Sequence, residues 1–341
     1  MRALVTGGIG FIGTNLADRL LRDGHDVFLF DNLGRAGVQA NLDWLRRVHG
    51  SRIQFVESDV RDSGAVEKAM GGADVVFHLA AQVAVTTSVV NPQEDFSINA
   101  QGTLNVLEAA RKQKPMPIVL YTSTNKVYGG LEHLRVVERR TRYEFENLAY
   151  GVPETCPLDF HSPYGCSKGT ADQYVHDYHR IYGLPSVVFR MSCIYGPHQF
   201  GTEDQGWVAH FALTGVRGGR LTIYGDGKQV RDLLFVEDLV ELMSRACANI
   251  ERTAGQVYNV GGGPSHTISV WAELQEPLKT ILDRLPPVHY GEFRPGDQRI
   301  YVSDIRKANE QLGWAPRVGI VEGLQRMVGA WGEDRKTALA R

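Results

Sequence analysis

The chain has 341 residues, 43% hydrophobic and 22% charged, which suits a soluble globular protein with one large core or two lobes. A formal net charge of -2 gives no electrostatic footing for nucleic acid or an anionic membrane as a partner. No apolar run approaches the roughly 18 residues that span a bilayer. The four cysteines form no C-x-x-C pair and the sequence enters a strand at once, so reduced thiols and a cytoplasmic location are expected.

Arg2-Ala3-Leu4-Val5 is a short, mostly apolar run that predicts a buried strand. Val5-Thr6-Gly7-Gly8-Ile9-Gly10-Phe11-Ile12-Gly13 follows, and then Thr14–Leu21, with leucines at helical spacing. A strand that enters a glycine turn and leaves as a helix points backbone N–H groups and the positive helix end at one spot. A pyrophosphate suits that spot, because glycine lets the backbone approach without a Cβ clash. The spacing is G-x-x-G-x-x-G, at Gly7, Gly10 and Gly13. A tight turn with no ligand is the alternative, and the placement between strand and helix favours the ligand.

Asp26–Phe30 predicts a second strand, ending in Asp31. An acid roughly 20 residues beyond such glycines accepts hydrogen bonds from an adenosine ribose and repels a 2′-phosphate, which favours NAD over NADP. Arg35, close behind, tempers that preference. Arg52–Val56 predicts a strand followed by Asp59-Val60-Arg61-Asp62, and Asp74–Leu79 another, running into Ala80-Ala81-Gln82. Pro92–Gln113 predicts a long amphipathic helix and Pro117–Thr122 the fifth strand. Repeated β-α-β units with right-handed crossovers give a Rossmann-type, doubly wound parallel sheet whose ligands sit beyond the strand carboxyl ends.

Two later stretches add chemistry. Thr122-Ser123-Thr124-Asn125-Lys126-Val127-Tyr128-Gly129 ends the fifth strand, and Ser162-Pro163-Tyr164-Gly165-Cys166-Ser167-Lys168 opens a helix running to about Tyr182. Tyr164 and Lys168 stand one helical turn apart on one face. A phenol with a pKa of about 10 is a poor base at neutral pH. A nearby ammonium and a cationic nicotinamide both favour the phenolate, so the phenol is expected to be lowered. Tyr164 then takes a hydroxyl proton while Thr124 holds that hydroxyl. Cys166 is expected to be a packing residue. No His and carboxylate pair has metal-ligand spacing, so no metal is expected.

Thr6-Gly7-Gly8-x-Gly10-Phe11-Ile12-Gly13, Asp31-Asn32-Leu33, His78-Leu79-Ala80-Ala81, Tyr164-x-x-x-Lys168, Arg190, Tyr195-Gly196-Pro197 and Arg231-Asp232 together resemble the extended short-chain dehydrogenases/reductases, in the nucleotide-sugar epimerase and dehydratase group. The resemblance covers nearly the whole chain. It implies a cofactor domain over residues 1–190, with 233–262 returning to it, and a smaller C-terminal α/β sugar-nucleotide lobe over 191–232 and 263–341. It implies tightly held NAD at Gly7, Gly10, Phe11, Ile12, Asp31, Asn32, Asp59, Val60, Leu79, Ala80, Ala81, Asn99, Tyr164 and Lys168. It implies a catalytic set of Thr124, Tyr164 and Lys168. A homodimer through the Pro92–Gln113 and Pro163–Tyr182 helices is implied as well.

Dehydratases of this group carry Asp-Glu after the catalytic Thr. Here Asn125 and Lys126 follow Thr124, and neither is a carboxylic acid able to protonate a leaving hydroxyl. Decarboxylases usually carry Glu at the position of Lys126. Epimerisation remains. Thr122–Gly129, Leu158–Lys168 and Asp204-Gln205-Gly206-Trp207-Val208 are similar to a subgroup that inverts C2 of CDP-linked deoxyhexoses. The substrate residues implied are Thr124, Asn125, Lys126, Ser192, His198, Gln199, Gln205, Gly206, Val208, Tyr224, Arg231, Arg294 and Asp297, with the arginines on the sugar-nucleotide pyrophosphate. A UDP-sugar 4-epimerase using the same residues and a catalytically silent NAD-binding regulatory protein are the alternatives.

In the second half, Pro185–Arg190 predicts a sixth strand and Thr222–Gln229 a strand with a glycine turn. Val236 opens a helix, and Asn259–Gly263 is expected to be a loop. The tail from Asp334 to Arg341 is expected to be loose.

Overall fold

In the computed structural model, residues 1–282, 284–294 and 297–339 are described, 332–339 by their backbone. The first part alternates strand and helix: β1 (Arg2–Thr6), α1 (Phe11–Arg22), β2 (Asp26–Asp31), α2 (Val38–His49), β3 (Gln54–Glu57), α3 (Ser63–Met70), β4 (Val75–His78), α4 (Val85–Val90), α5 (Pro92–Phe96), α6 (Gly102–Arg111) and β5 (Ile118–Thr124). Then come β6 (Val136–Glu138), β7 (Tyr143–Phe145), α7 (Ser162–Tyr182), β8 (Ser186–Met191), β9 (Cys193–Tyr195), α8 (Trp207–Arg217), β10 (Leu221–Tyr224), β11 (Val230–Phe235), α9 (Val236–Ala248), α10 (Ile250–Thr253) and β12 (Val257–Val260). The chain closes with β13 (Thr267–Ser269), α11 (Gln275–Leu282), β14 (Val288–Gly291), β15 (Ile300–Tyr301), α12 (Arg306–Leu312) and α13 (Ile320–Leu339).

A seven-stranded sheet has the order β12-β8-β5-β4-β1-β2-β3, the doubly wound arrangement expected from the β-α alternation. Its strands are apolar because helices cover both faces; all four residues of β4 are buried. Leu4, Val76, Val119 and Val188 from the strands meet Val106 and Ala110 of α6 and Val175 of α7 in one core. Thr6 of β1 stands in register with Phe30 of β2 and His78 of β4. The glycine turn, Asp31 and Leu79 therefore leave the sheet along one edge.

The backbone falls into two units. The first comprises residues 1–127, 160–190 and 240–258; the second comprises 128–159, 191–239 and 259 onward. In the second, β11 pairs with β9, β13 and β15, and β10 pairs with β14. Phe211, Leu221, Phe235, Trp271 and Leu324 are among its core residues. Residues 128–159, read from sequence with the first lobe, pack with the second. Tyr143 of the β6–β7 hairpin joins Val230, Ile300 and Val302, and Gln298 Nε2 donates to the Gly129 carbonyl at 2.5 Å. Residues 233–239 and 259–262 also fall in the second unit, where Leu233–Phe235 pair with Cys193–Tyr195.

Four local departures from expectation have physical reasons. The third strand starts at Gln54, because Gly50–Arg52 form a 3-10 turn. The Pro92–Gln113 run is interrupted by a π turn over Ser97–Gln101, whose wider hydrogen bonding frequently marks a functional position. Asn259 and Val260, read as loop, complete β12 at the sheet edge. The tail is helical in backbone to Leu339, and Ala340 and Arg341 lie outside the described residues. Among the described residues no helix is long and apolar enough to cross a membrane.

Candidate active site

The glycine turn is set by close approach. Gly7 adopts φ +67°, and a Cβ there would lie 2.8 Å from the Ala80 nitrogen and 2.9 Å from the Leu79 carbonyl carbon. A Cβ on Gly13 would drive into the Gly7 carbonyl oxygen. Gly10 differs: a Cβ there meets only the Gly7 oxygen, at 3.2 Å, so the space beside it is open. Gly10 caps α1 without a side-chain hydrogen bond, and the first turn of α1 holds no acid. An open helix N-terminus of this kind accepts a phosphate. Phe11 and Ile12, in that first turn, are half-buried.

Asp31 closes β2 with its carboxylate turned onto backbone N–H groups, Leu33 at 3.0 Å and Ile9 at 3.3 Å. Burial pushes its carboxyl up, and those bonds oppose the shift. Asn32 Nδ2 donates to Asp59 at 2.9 Å. The Arg61 guanidinium, bonded to the same carboxylate, holds Asp59 down at about 2. Val60 is buried beside Gly102. His78, buried in β4, lies 2.7 Å from Thr6 Oγ1 and 2.9 Å from Thr103 Oγ1. Burial lowers it to about 3, so it stays neutral. Thr103 donates to the Asn99 carbonyl, which ties the glycine turn to the π turn. Leu79, Ala80 and Ala81 follow β4 with small or apolar side chains. Open glycine backbone, a bare helix end and a half-buried acid at the next strand's tip form a cradle that fits a dinucleotide.

The chemistry-bearing corner lies at the end of β5 and the start of α7. Tyr164 is 8% exposed and Lys168 3%. Tyr164 shares a hydrogen bond with Thr124, which favours the phenolate, but burial dominates and pushes the phenol up to about 12. The expected lowering by Lys168 is absent from the protein's own field. Lys168 Nζ donates to the Thr122 carbonyl at 2.6 Å and sits 4.3 Å from the centre of the Tyr121 ring. Burial takes Lys168 down to about 7, against the pull of Asp172 and Asp95. Thr124 Oγ1 accepts from the Lys126 N–H at 3.2 Å and donates to Asn125 Oδ1 at 3.3 Å. Cys166, expected to pack, is exposed: two residues past Tyr164 the side chain falls on the solvent side of α7.

Sequence reasoning left out the groups that hold this corner. Asp172, one turn beyond Lys168, accepts from Ser123 Oγ at 2.7 Å and forms a fully buried ion pair with Arg190 at 2.9 Å. Asp95 of α5 accepts from Ser167 Oγ at 2.5 Å and from Asn99 Nδ2 at 3.1 Å. The helical spacing Tyr164, Lys168, Asp172 was a readable signal for Asp172. Nothing local marks Asp95, which reaches α7 from far away in sequence.

The remaining candidates lie in the second unit. Arg231 is buried, donating to Asp297 at 2.8 Å and to the Val230 carbonyl. Arg294 lies 3.9 Å over the Tyr224 ring and 3.4 Å from Asp204 Oδ1, with Glu203 at 3.6 Å. Pro295 and Gly296, between Arg294 and Asp297, lie outside the described residues. Ser192 donates to Asp232, a buried carboxylate that also accepts from the Gly263 and Ser303 N–H groups. Gln199 is buried and donates to the Ile194 carbonyl at 3.3 Å; His198 before it has φ +65°. Gln205 pairs through its backbone with Thr202, and Gly206, at φ +77°, caps α8. The Val208 side chain belongs to the core of this unit, so it does not line an open surface. Trp207, half-buried, donates to Cys193 Sγ at 3.4 Å.

Comparisons with known proteins identify the family. Residues 4–327 match the family described as GDP-mannose 4,6 dehydratase. CDP-paratose 2-epimerase of Salmonella typhi is 44% identical over 334 residues, 96% of this chain and 98% of that protein. The structure of UDP-glucose 4-epimerase with UDP-glucose from Thermotoga maritima superposes with TM-score 0.83 at 34% identity, covering 99% of this chain and 100% of that one. The Thermus thermophilus UDP-glucose 4-epimerase complex with NAD gives 0.81 at 32% identity, covering 97% and 99%. The chain belongs to this family, among the nucleotide-sugar epimerases and dehydratases of extended short-chain dehydrogenase/reductase type.

Proposed function

We propose that the protein is an NAD-dependent isomerase that inverts C2 of a nucleotide-linked deoxyhexose, converting CDP-paratose to CDP-tyvelose through a transient keto-sugar. The observation that carries the reaction class is the buried Thr124–Tyr164–Lys168 corner, which offers a proton acceptor, with Asn125 and Lys126 rather than a carboxylic acid at the two positions after Thr124. The substrate rests on the 44% likeness to the Salmonella typhi enzyme across almost all of both chains.

NAD, when bound, supplies the acceptor and later the donor of hydride. Gly7, Gly10, Phe11 and Ile12 hold its pyrophosphate at the α1 N-terminus. Asp31 and Asn32 would take the adenosine ribose, and Asp59, Val60, Leu79, Ala80, Ala81, Asn99, Tyr164 and Lys168 would hold the rest of the cofactor. Thr124 holds the sugar hydroxyl. Tyr164 removes that hydroxyl's proton and returns it after the sugar has turned. Lys168 stands one turn along α7, held on the Thr122 carbonyl, and the cationic nicotinamide would supply the charge that favours the phenolate. Arg231 and Arg294 anchor the pyrophosphate, so nucleotide binding energy retains the intermediate while it turns. The protein acts in the cytoplasm as a homodimer that uses its Pro92–Gln113 and α7 helices.

Incubation of the purified protein with CDP-paratose and no added cofactor tests this reading. CDP-tyvelose is the expected product, and its absence from NAD-loaded protein removes the substrate assignment. A UDP-sugar 4-epimerase is the second reading, favoured by the UDP-glucose 4-epimerase structures that superpose over the whole chain. Turnover of UDP-glucose without turnover of CDP-paratose selects it.

A further inference from the structure

We propose that Asp95 is the positioning residue of this site: through Ser167, its carboxylate fixes the turn of α7 that lies between Tyr164 and Lys168. The inference rests on reading those two as the catalytic pair. Asp95 is 1% exposed. One oxygen accepts from Ser167 Oγ at 2.5 Å; the other accepts from Asn99 Nδ2 at 3.1 Å and Gln82 Nε2 at 3.0 Å. Asn99 closes the ring: its Nδ2 also lies 3.1 Å from Ser167 Oγ, and its Oδ1 accepts the Gln82 N–H at 2.9 Å. The ring therefore links the strand end after β4, the π turn and α7.

The hydroxyl of Ser167 has one proton and two acceptors within reach, Asp95 at 2.5 Å and the Tyr164 carbonyl at 3.2 Å. Asp95, charged and closer, takes it. Without Asp95 the proton turns back to the Tyr164 carbonyl, the back-bonding that bends helices. The residue bent is Tyr164, whose N–H is anchored on its other side by Ser88 Oγ at 3.1 Å. Asparagine cannot substitute: with its oxygen turned to the Asn99 and Gln82 donors, its amide nitrogen faces Ser167 Oγ as a donor and cannot accept the Ser167 proton.

A carboxylate buried here also acts by charge. Tyr164 and Lys168 face it from α7, Asp172 lies farther along that helix, His78 is neutral on β4, and β5 offers the Tyr121 ring. Asp95 and Asp172 both favour the ammonium of Lys168. Removing Asp95 therefore moves the Lys168 titration to lower pH.

The test compares wild type, Asp95→Asn and Ser167→Ala, each purified with its NAD. Steady-state kinetics are combined with NMR of 15N-labelled lysine, the Lys168 signal being identified by its loss in Lys168→Met. For Asp95→Asn, kcat falls about tenfold or more with KM within about threefold, as a small misplacement of a catalytic group predicts, and the Lys168 midpoint moves down. A kcat within about twofold of wild type and an unmoved midpoint overturn the inference. If Asp95→Asn does not fold, Ser167→Ala decides: it keeps the charge and breaks the bond, so kcat falls with NAD content unchanged, and wild-type kcat overturns the proposal. If wild type turns over no nucleotide sugar, the functional reading fails by itself. The Lys168 midpoint in Asp95→Asn then still decides the role of Asp95.

Discussion

The two groups of candidate residues differ in what holds them. At the β5–α7 corner, each side chain is buried and tied to a neutral or complementary partner: Lys168 to the Thr122 carbonyl, Tyr164 to Thr124, Asp172 to Ser123 and Arg190. In the second unit the cations are already matched by the chain's own acids, Arg231 by Asp297 and Arg294 by Glu203 and Asp204. The first group is preorganised for proton movement and needs no rearrangement of its charges. On the proposed function, the second would exchange a carboxylate for a phosphate before anchoring a substrate. That reading places chemistry in the resting fold and makes substrate capture a replacement reaction.

The strongest way to break the first half of that contrast is Tyr164→Phe. The ring still fills the buried space and the proton acceptor is lost, so turnover drops by about a hundredfold to ten-thousandfold, the range of general acid–base catalysis. Bound NAD, measured after denaturing release, stays at the wild-type level. Retained turnover would show that the corner is a structural knot.

The second half is tested at Arg294. Hydrogen bonds to charged groups contribute about 1.5–3 kcal/mol, so Arg294→Ala raises KM about tenfold to a hundredfold while the melting temperature barely changes, its ion pairs being partly exposed. Glu203→Gln sharpens the argument in the other direction. It removes a competitor of the phosphate and lowers KM, by up to about fivefold, because an exposed pair contributes at most about 1 kcal/mol. An increase in KM for Glu203→Gln would mean that the glutamate serves the substrate directly.

The same contrast separates what could be read in the sequence from what could not. The glycine turn, Asp31 and the Tyr164–Lys168 pair lie on regular elements whose period and punctuation are local, so their elements were legible within a residue or two. β12 was missed because a four-residue buried strand at a sheet edge has no period of its own to detect. The partners of the arginines were missed because Glu203 and Asp297 meet them across loops. Even at the corner, the sign of the shift on Tyr164 was misread: one-turn spacing to Lys168 is visible in sequence, but the burial of the phenol and the diversion of the ammonium to Thr122 are not.

The glycines offer a finer test of the cradle. Gly13→Ala pushes a methyl group into the Gly7 carbonyl, where backbone must give way, and destabilises the protein by about 1–3 kcal/mol, as overpacking does. Gly10→Ala meets only the 3.2 Å neighbour and leaves stability nearly intact. Its methyl group occupies the open side of the helix end, so NAD content falls. Denaturant melts together with released-nucleotide assays distinguish the two, and loss of stability in both would make the turn a packing feature with no ligand role.

The smallest expected effect concerns Lys168 and the cost of keeping a charge in a dry corner. Its pKa falls to about 7 in the folded chain, burial outweighing Asp172 and Asp95, while the unfolded chain keeps an ordinary lysine value. Between those two values the unfolded state binds more protons than the folded one, so this group's contribution to stability rises with pH from about 7 toward 10 and is least favourable below that window. The gradient is bounded by about 1.4 kcal/mol per pH unit for one proton. Lys168→Met removes the proton and keeps most of the stem packed on Tyr121. The variant is therefore more stable than wild type at pH 7, and the difference shrinks as the pH approaches 10, even as turnover is lost. Parallel stability curves for the two proteins would mean that the corner is wetter than its burial implies, and with that the contrast between a dry, preorganised corner and an exchangeable anchoring region would fail.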